Sequence, residues 1–303
     1  MKRLLLLLLL LPGLASALRI DVQGHRGARA AMPENSLAAF DYALKVGVDT
    51  LELDTVVTRD GKVVVLHDPA INPKLCLDAD GKKLAEPVLV SRLTLAEVKR
   101  FDCGTLVNPR FSRSKRIKDT RIPTLDEVFE LVKASKHPAA KTVQFNIETK
   151  IDPSRPEATA GPEDFVEAIR AAVATAGVGE RVTVQSFDWR TLRPLAGELA
   201  TACLSEDEGL DEAATQALIA SAKEAGCGTW SPQHTQLSPE HIERAIGANA
   251  EVQRARVDCE HLETIMGGFR DEVIAETVAF LHRDGARPAR ERDADQGQSG
   301  IGV

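Results

Sequence analysis

Short apolar runs alternate along this chain with longer stretches whose apolar residues recur every three to four positions, which is the pattern of parallel βα units. Runs at 19–23, 50–54, 142–147, 181–185, 200–204 and 227–231 predict six strands. Periodic stretches at 36–46, 125–135, 162–176, 213–225 and 239–246 predict helices, several opened by Ser, Thr or Pro. Six such strands account for most of an eight-stranded α/β barrel.

The spacing breaks after the second strand. Asp60-Gly61 marks a turn and 62–67 a further apolar run, so 55–67 reads as a hairpin prolonging that strand. Residues 68–121, rich in Pro, Asp, Gly, Lys and Arg, read as an insertion with one short helix at 94–100. Loops of this length in compact domains are functional or disordered. From 246 to 303 the pattern diverges: 254–258 is charged and 285–300 is polar, and neither reads as a buried parallel strand.

Length and composition allow one barrel of roughly 250 residues or two smaller domains. The 303 residues are 43% hydrophobic and 27% charged, ordinary globular proportions. With 38 basic against 45 acidic residues and 4% aromatics, nucleic acid is not an expected partner. Residues 1–17 (Lys2-Arg3, the Leu-rich run to Leu11, then Ala15-Ser16-Ala17) have the three regions of a secretory signal peptide. Their apolar stretch is shorter than the ~20 residues of a spanning helix. The expectation is a secreted or periplasmic domain at 18–303, with no membrane span after signal cleavage. Five cysteines are present, an odd number, with no zinc-type spacing. Cys76 and Cys103 share the insertion and are either bridged or buried as thiols.

Candidate chemistry collects at predicted strand ends, where α/β barrels place their sites. Glu52 and Asp54, two apart on a strand, share a face. Glu148 ends the third strand and Lys150 follows it. Adjacent buried carboxylates repel unless a cation or donors compensate, and oxygen ligands suit Ca²⁺ or Mg²⁺; the bland reading is solvated strand-end acids or salt-bridge partners. The first strand ends in Gly24-His25-Arg26-Gly27, where the Arg fork matches a phosphate or carboxylate. His67-Asp68-Pro69 ends the hairpin, and two histidines suit general acid and base work on a phosphodiester. Trp189 and Trp230 read as packing residues, although Trp230 and Phe187 stand where they could line an alcohol pocket.

These motifs, in order with Met32-Pro33-Glu34-Asn35-Ser36, Val65-Leu66-His67-Asp68 and Val184-Gln185-Ser186-Phe187-Asp188, resemble the glycerophosphodiester phosphodiesterases over about residues 19–245. The resemblance implies a TIM-type (β/α)₈ barrel with an insertion after the second strand. It implies His25 and His67 as the acid/base pair, Arg26 on the phosphate oxygens, Lys150 on the phosphate or the metal-bound carboxylate, and Glu52, Asp54 and Glu148 around one divalent cation, Ca²⁺ or Mg²⁺. Glu34 and Asn35 would shape the first loop. The substrate implied is a small glycerophosphodiester, cleaved to sn-glycerol 3-phosphate and an alcohol.

The resemblance weakens at the C-terminus. Ala255-Arg256-Val257-Asp258 and Gly267-Gly268-Phe269-Arg270-Asp271 stand where the family carries its seventh and eighth strands, so these are expected to be atypical or missing. The tail 283–298 has the composition of GC-rich coding sequence read out of frame. A frameshifted, non-catalytic barrel is therefore one alternative, and a phospholipase D-like lipid-cleaving relative another. Without the last strands, the first and sixth would be open edges.

Overall fold

Four of the five α-helices among the described residues begin where a side chain closes the first turn. The structure is a computed structural model describing residues 20–206 and 211–232, with the backbone of 275–279. After β1 (Ile20–Gly24), the Ser36 hydroxyl accepts the Ala39 N–H and opens α1 (Leu37–Val46), which ends on Gly47 in the left-handed region. Next come β2 (Thr50–Val57) and β3 (Val63–Val65), paired antiparallel as the predicted hairpin.

The insertion is folded. β4 (Ala70–Ile71) pairs with β5 (Val88–Leu89), and α2 (Leu95–Val98) starts on a Thr94/Glu97 capping box. The helix is shorter than the predicted 94–100. A core of its own, with Val56, Val64, Ile71, Val90, Val98 and Ile122, sits around a Cys76–Cys103 disulfide. Asp102 holds the far loop: its carboxylate accepts the N–H groups of Gly104 (3.0 Å), Thr105 (3.2 Å) and Asp119 (3.1 Å) and the Thr105 hydroxyl (2.6 Å).

The βα alternation then resumes. A second capping box, Thr124/Glu127, opens α3 (Leu125–Ala134), followed by β6 (Gln144–Thr149) and α4 (Pro162–Ala176). After β7 (Val182–Ser186), two 3₁₀ turns at Trp189–Thr191 and Arg193–Leu195 replace a helix before β8 (Ala200–Ser205). Asp211 caps α5 (Glu212–Glu224), and β9 (Thr229–Pro232) follows.

The six parallel strands run in the order β1-β2-β6-β7-β8-β9, a curled wall of a TIM-type α/β fold. Alternation decides the two faces. Leu51, Leu53, Phe145, Ile147 and Val184 point outward and pack with Phe40, Val128, Phe129, Phe165 and Ile169 of the helices. Fully burying each such side chain contributes roughly 1.5–3 kcal/mol. Inward, the same strands carry Gln23, Glu52, Asp54, Asn146, Glu148 and Gln185, all buried. Asn146 Nδ2 donates to Gln23 Oε1 (3.0 Å) and Gln185 Oε1 (2.9 Å); Gln185 Nε2 donates on to Glu52 Oε1 (3.2 Å), and Gln23 Nε2 to Asp21 Oδ2 (2.8 Å).

Two features depart from the sequence reading. The expected open edge at β1 is covered, because β10 (Ala275–Ala279) lies antiparallel along it, from Ile20 opposite Ala279 to Gly24 opposite Ala275. A chain that returns in the opposite direction supplies edge hydrogen bonds without a crossover helix, which is why no βα pattern announced it. β9 has β8 as its one partner among the described residues. The second is a disulfide between Cys203 of β8 and Cys227 just before β9, a pairing that the sequence reading did not name. The two Cα atoms lie 5.9 Å apart, although the parallel register itself opposes Cys203 to Trp230. The signal segment 1–17, the helix at 239–246, the segments 255–258 and 267–271, Cys259 and the tail 283–298 lie outside the described residues. Among the described residues, no helix is long and apolar enough to cross a membrane.

Candidate metal and phosphate site

The site begins with a turn that only glycine permits. A Cβ on Gly24 would lie 2.3 Å from the Gly27 carbonyl oxygen, and one on Gly27, at φ +78°, would meet Ala39 at 2.8 Å. Gly27 N–H donates to the carbonyls of Gly24 (3.1 Å) and Glu52 (3.2 Å), locking the β1 end onto β2. Between the glycines, Arg26 is held at φ 51°, an uncommon conformation for a residue with a Cβ. Its own N–H donates to Glu52 Oε2 at 2.8 Å. The neighbouring His25 ring is buried, with Nε2 3.8 Å from the same Glu52 oxygen.

The Arg26 guanidinium lies between two acids. Nη1 donates to Glu34 Oε1 at 2.7 Å, and Nε lies 3.3 Å from Asp54 Oδ2. Asn35 donates through Nδ2 to the same Asp54 oxygen (2.8 Å), while Glu34 also accepts from Asn108 of the insertion (2.9 Å). Glu34 and Asn35 therefore brace the loop, in the role the sequence assigned them.

Register places the acids. β2 and β6 pair with Asp54 opposite Glu148, and Glu52 stands two residues earlier on the same face. One oxygen from each of Glu52, Asp54 and Glu148 lies within 4.8 Å of the others. All three are buried, which removes the reading of solvated strand-end acids. Lys150 Nζ donates to Glu148 Oε1 at 2.6 Å and stands 3.7 Å from Asp54 Oδ1. On its other side it lies 3.2 Å from His67 Nε2, and His67 Nδ1 is 2.7 Å from Asp68 Oδ1. With Asp68 accepting the Nδ1 proton, the Nε2 lone pair faces the site. Asp68 is in turn held by Asn72 Nδ2 at 3.0 Å.

The charges are strongly coupled. Burial pushes the Asp54 carboxyl up, but Arg26, Lys150 and the Asn35 hydrogen bond outweigh it and hold the group well below the usual carboxylate range. Glu148 moves the opposite way, raised by burial and by the Asp54 charge despite Lys150. Burial lowers Lys150 and Arg26, yet the facing acids more than reverse this and keep both cationic. Three carboxylates so close together repel, and Asp54 Oδ1 is buried with no hydrogen-bond donor. An all-oxygen set with one such orphaned acceptor fits a hard divalent cation.

All seven site residues expected from sequence are thus brought together: His25, Arg26, Glu52, Asp54, His67, Glu148 and Lys150. Sequence reasoning missed the anchoring roles of Asp68, Asn72 and Gln185, although Asp68 stood inside a quoted motif. Trp230 packs in the main core and its ring N–H donates to Ser205 Oγ (3.1 Å), so it does not line the site. Phe187, by contrast, is 40% exposed just past β7. His137 pairs with Asp41 at 3.4 Å, away from these groups.

Fold and site together define a TIM-type α/β protein with a carboxylate cluster built for a divalent cation beside two histidines. The model of the glycerophosphoryl diester phosphodiesterase family matches residues 25–256, and the chain belongs to that family. The glycerophosphodiester phosphodiesterase of Caldanaerobacter subterraneus subsp. tengcongensis is 34% identical over 172 residues, 57% of this chain and 60% of that enzyme. This chain spans about one third to two thirds of the length of the curated relatives it matches. A Silicibacter pomeroyi DSS-3 structure of the glycerophosphoryl diester phosphodiesterase type superposes with a TM-score of 0.69 at 31% identity, covering 78% of this chain and 82% of that one. An Oleispira antarctica phosphodiesterase, solved with its product sn-glycerol 3-phosphate, shares the fold at 20% identity and a TM-score of 0.59, covering 78% and 84%.

Proposed function

We propose that this protein hydrolyses small glycerophosphodiesters to sn-glycerol 3-phosphate and an alcohol, with Glu52, Asp54 and Glu148 holding one Ca²⁺ or Mg²⁺. The observation that carries this reading is the placement of two histidines, His25 and His67, around a buried acid triad that also gathers Arg26 and Lys150. A bound cation would supply Lewis-acid neutralisation of the phosphate oxygens.

The chain's own residues account for the rest. Arg26, fixed by Glu34, offers its planar fork to the phosphate, and Lys150 adds a second positive charge. One histidine takes a proton from water as its oxygen bonds to phosphorus, or from the substrate's neighbouring hydroxyl to give a cyclic phosphate that water then opens, and the other gives a proton to the leaving alcohol as its P–O bond breaks. His67, with Nδ1 tied to Asp68, presents Nε2 for one of these roles. The leader-like segment 1–17, together with two disulfides among the described residues, supports a secreted or periplasmic location.

Release of sn-glycerol 3-phosphate from glycerophosphoglycerol, measured with EDTA and after restoring Ca²⁺ or Mg²⁺, tests the reading. Expected are activity lost to EDTA and regained with metal, and a loss of about a hundredfold or more in His25→Ala and His67→Ala with the fold intact. A folded wild-type chain that releases nothing, or a histidine variant with full activity, overturns it.

A further inference from the structure

The insertion builds a cavity of about 480 Å³ beside the catalytic histidine, within the range of small-molecule sites. Asp68 forms part of its wall, and that same carboxylate holds His67 Nδ1 at 2.7 Å, so the cavity and the histidine share one side chain. Ala70 of β4 and Leu89 of β5, with Pro69, Pro73 and Pro87, give it apolar sides. Arg155, from the loop after β6, also lines it, and Ser91 Oγ donates to the Glu157 carbonyl (3.3 Å) between the insertion and that loop.

The lining carries two cations, Lys74 and Arg155, and one acid, Asp68. Both Asp68 oxygens are engaged, one by His67 and one by Asn72. Lys74 makes no ion pair among the described residues, and Arg155 binds Asp152 through Nε at 2.7 Å. Two exposed cations line the space, one of them unpaired, with no aromatic ring among the described lining residues. A quaternary ammonium group is recognised by aromatic faces and free acids, whereas the one acid in this lining is held by His67 and Asn72.

We propose that this cavity takes the alcohol half of the diester, and that Lys74 and Arg155 select alcohols bearing an anionic group over those bearing a quaternary ammonium. The inference rests on the proposed hydrolysis and names its substrate class. An anionic group gains attraction from both cations, an uncharged polyol gains hydrogen bonds, and a choline group meets repulsion.

The test is kcat/KM of the wild-type protein for three diesters: bis(glycerophospho)glycerol, glycerophosphoglycerol and glycerophosphocholine. The same three are titrated calorimetrically into the His25→Ala variant, which measures binding without turnover. The expected order is anionic over uncharged over cationic, with at least tenfold between the extremes. Reversing both charges, Lys74→Glu with Arg155→Glu, is expected to shrink or invert that ratio by tenfold or more. Both side chains are exposed, and circular dichroism checks that the variant folds. Turnover without this order, or a ratio unmoved by the charge reversal, overturns the cavity assignment and leaves the hydrolysis standing. Absence of turnover with charge-dependent binding in the expected order does the opposite. Neither turnover nor binding of any diester overturns both.

Discussion

Asp68 shows how much one carboxylate can decide. Its bond to His67 Nδ1 fixes which ring nitrogen faces Lys150 and the acid triad, and Asn72 fixes Asp68 in turn. Asp68→Asn keeps the size but replaces the anion with an amide, which loses the charge that orients the ring. The expected result is a fall in kcat of about tenfold or more for every diester. Steady-state kinetics on two diesters checks it; unchanged kcat would mean the ring is oriented without Asp68. At this scale the sequence was legible wherever a residue type carried its own chemistry. His25, Arg26, Glu52, Asp54, His67, Glu148 and Lys150 could be selected because charge at a strand end is costly unless used. Gln185 and Asn72 could not, since an amide in a strand or loop has many ordinary uses.

Among elements, legibility followed locality. α4 occupies its expected 162–176, with Pro162 in its first turn and Gly177 as its left-handed stop. The hairpin of β2 and β3 was readable from Asp60-Gly61. What failed was pairing at long range: β4 with β5, β10 with β1, and Cys203 with Cys227 depend on the closed fold and leave no periodic trace. The insertion also carries a pH dependence of its own. Burial pushes Asp102 up, but hydrogen bonds from Thr105, Gly104 and Asp119 outweigh it and hold its carboxyl below the usual range. A depressed folded value means that this stabilisation is complete above the unfolded pKa of about 3.9 and is lost as pH falls toward the folded one. Asp102→Asn should lower Tm near neutrality and flatten its fall on acidification. Thermal melts from pH 7 to pH 3 would show it, and parallel curves for both proteins would refute it.

For the whole molecule, the parallel wall has two ends with different reinforcement. β10 lies against β1, whereas β9 is fastened to β8 by their ladder and by the Cys203–Cys227 bond, 24 residues apart in sequence. Closing a loop of that length restricts the unfolded chain by about 3 kcal/mol. Replacing both cysteines with serine is expected to lower the denaturation midpoint accordingly and leave β1 to β7, which carry the site, in place. A variant with unchanged stability would show that the bond adds no constraint. Losing diester hydrolysis along with the bond would place the last strands within the working part of the barrel.

The row of amides inside the wall has one further consequence. Starting from Asn146, every N–H points outward, through Gln185 to Glu52 on one side and through Gln23 to Asp21 on the other, and the Asn146 oxygen is left without a donor. Two anions at the ends thus set the polarity of the whole line, as magnets orient needles between them. The Gln185 carboxamide protons, sealed at 7% exposure, should then be among the slowest side-chain amides to exchange with D₂O. Glu52→Gln would remove one pole and allow the line to reverse, a change visible in side-chain amide NMR spectra with no substrate present. The floor of the barrel would in this way register the charge at its rim.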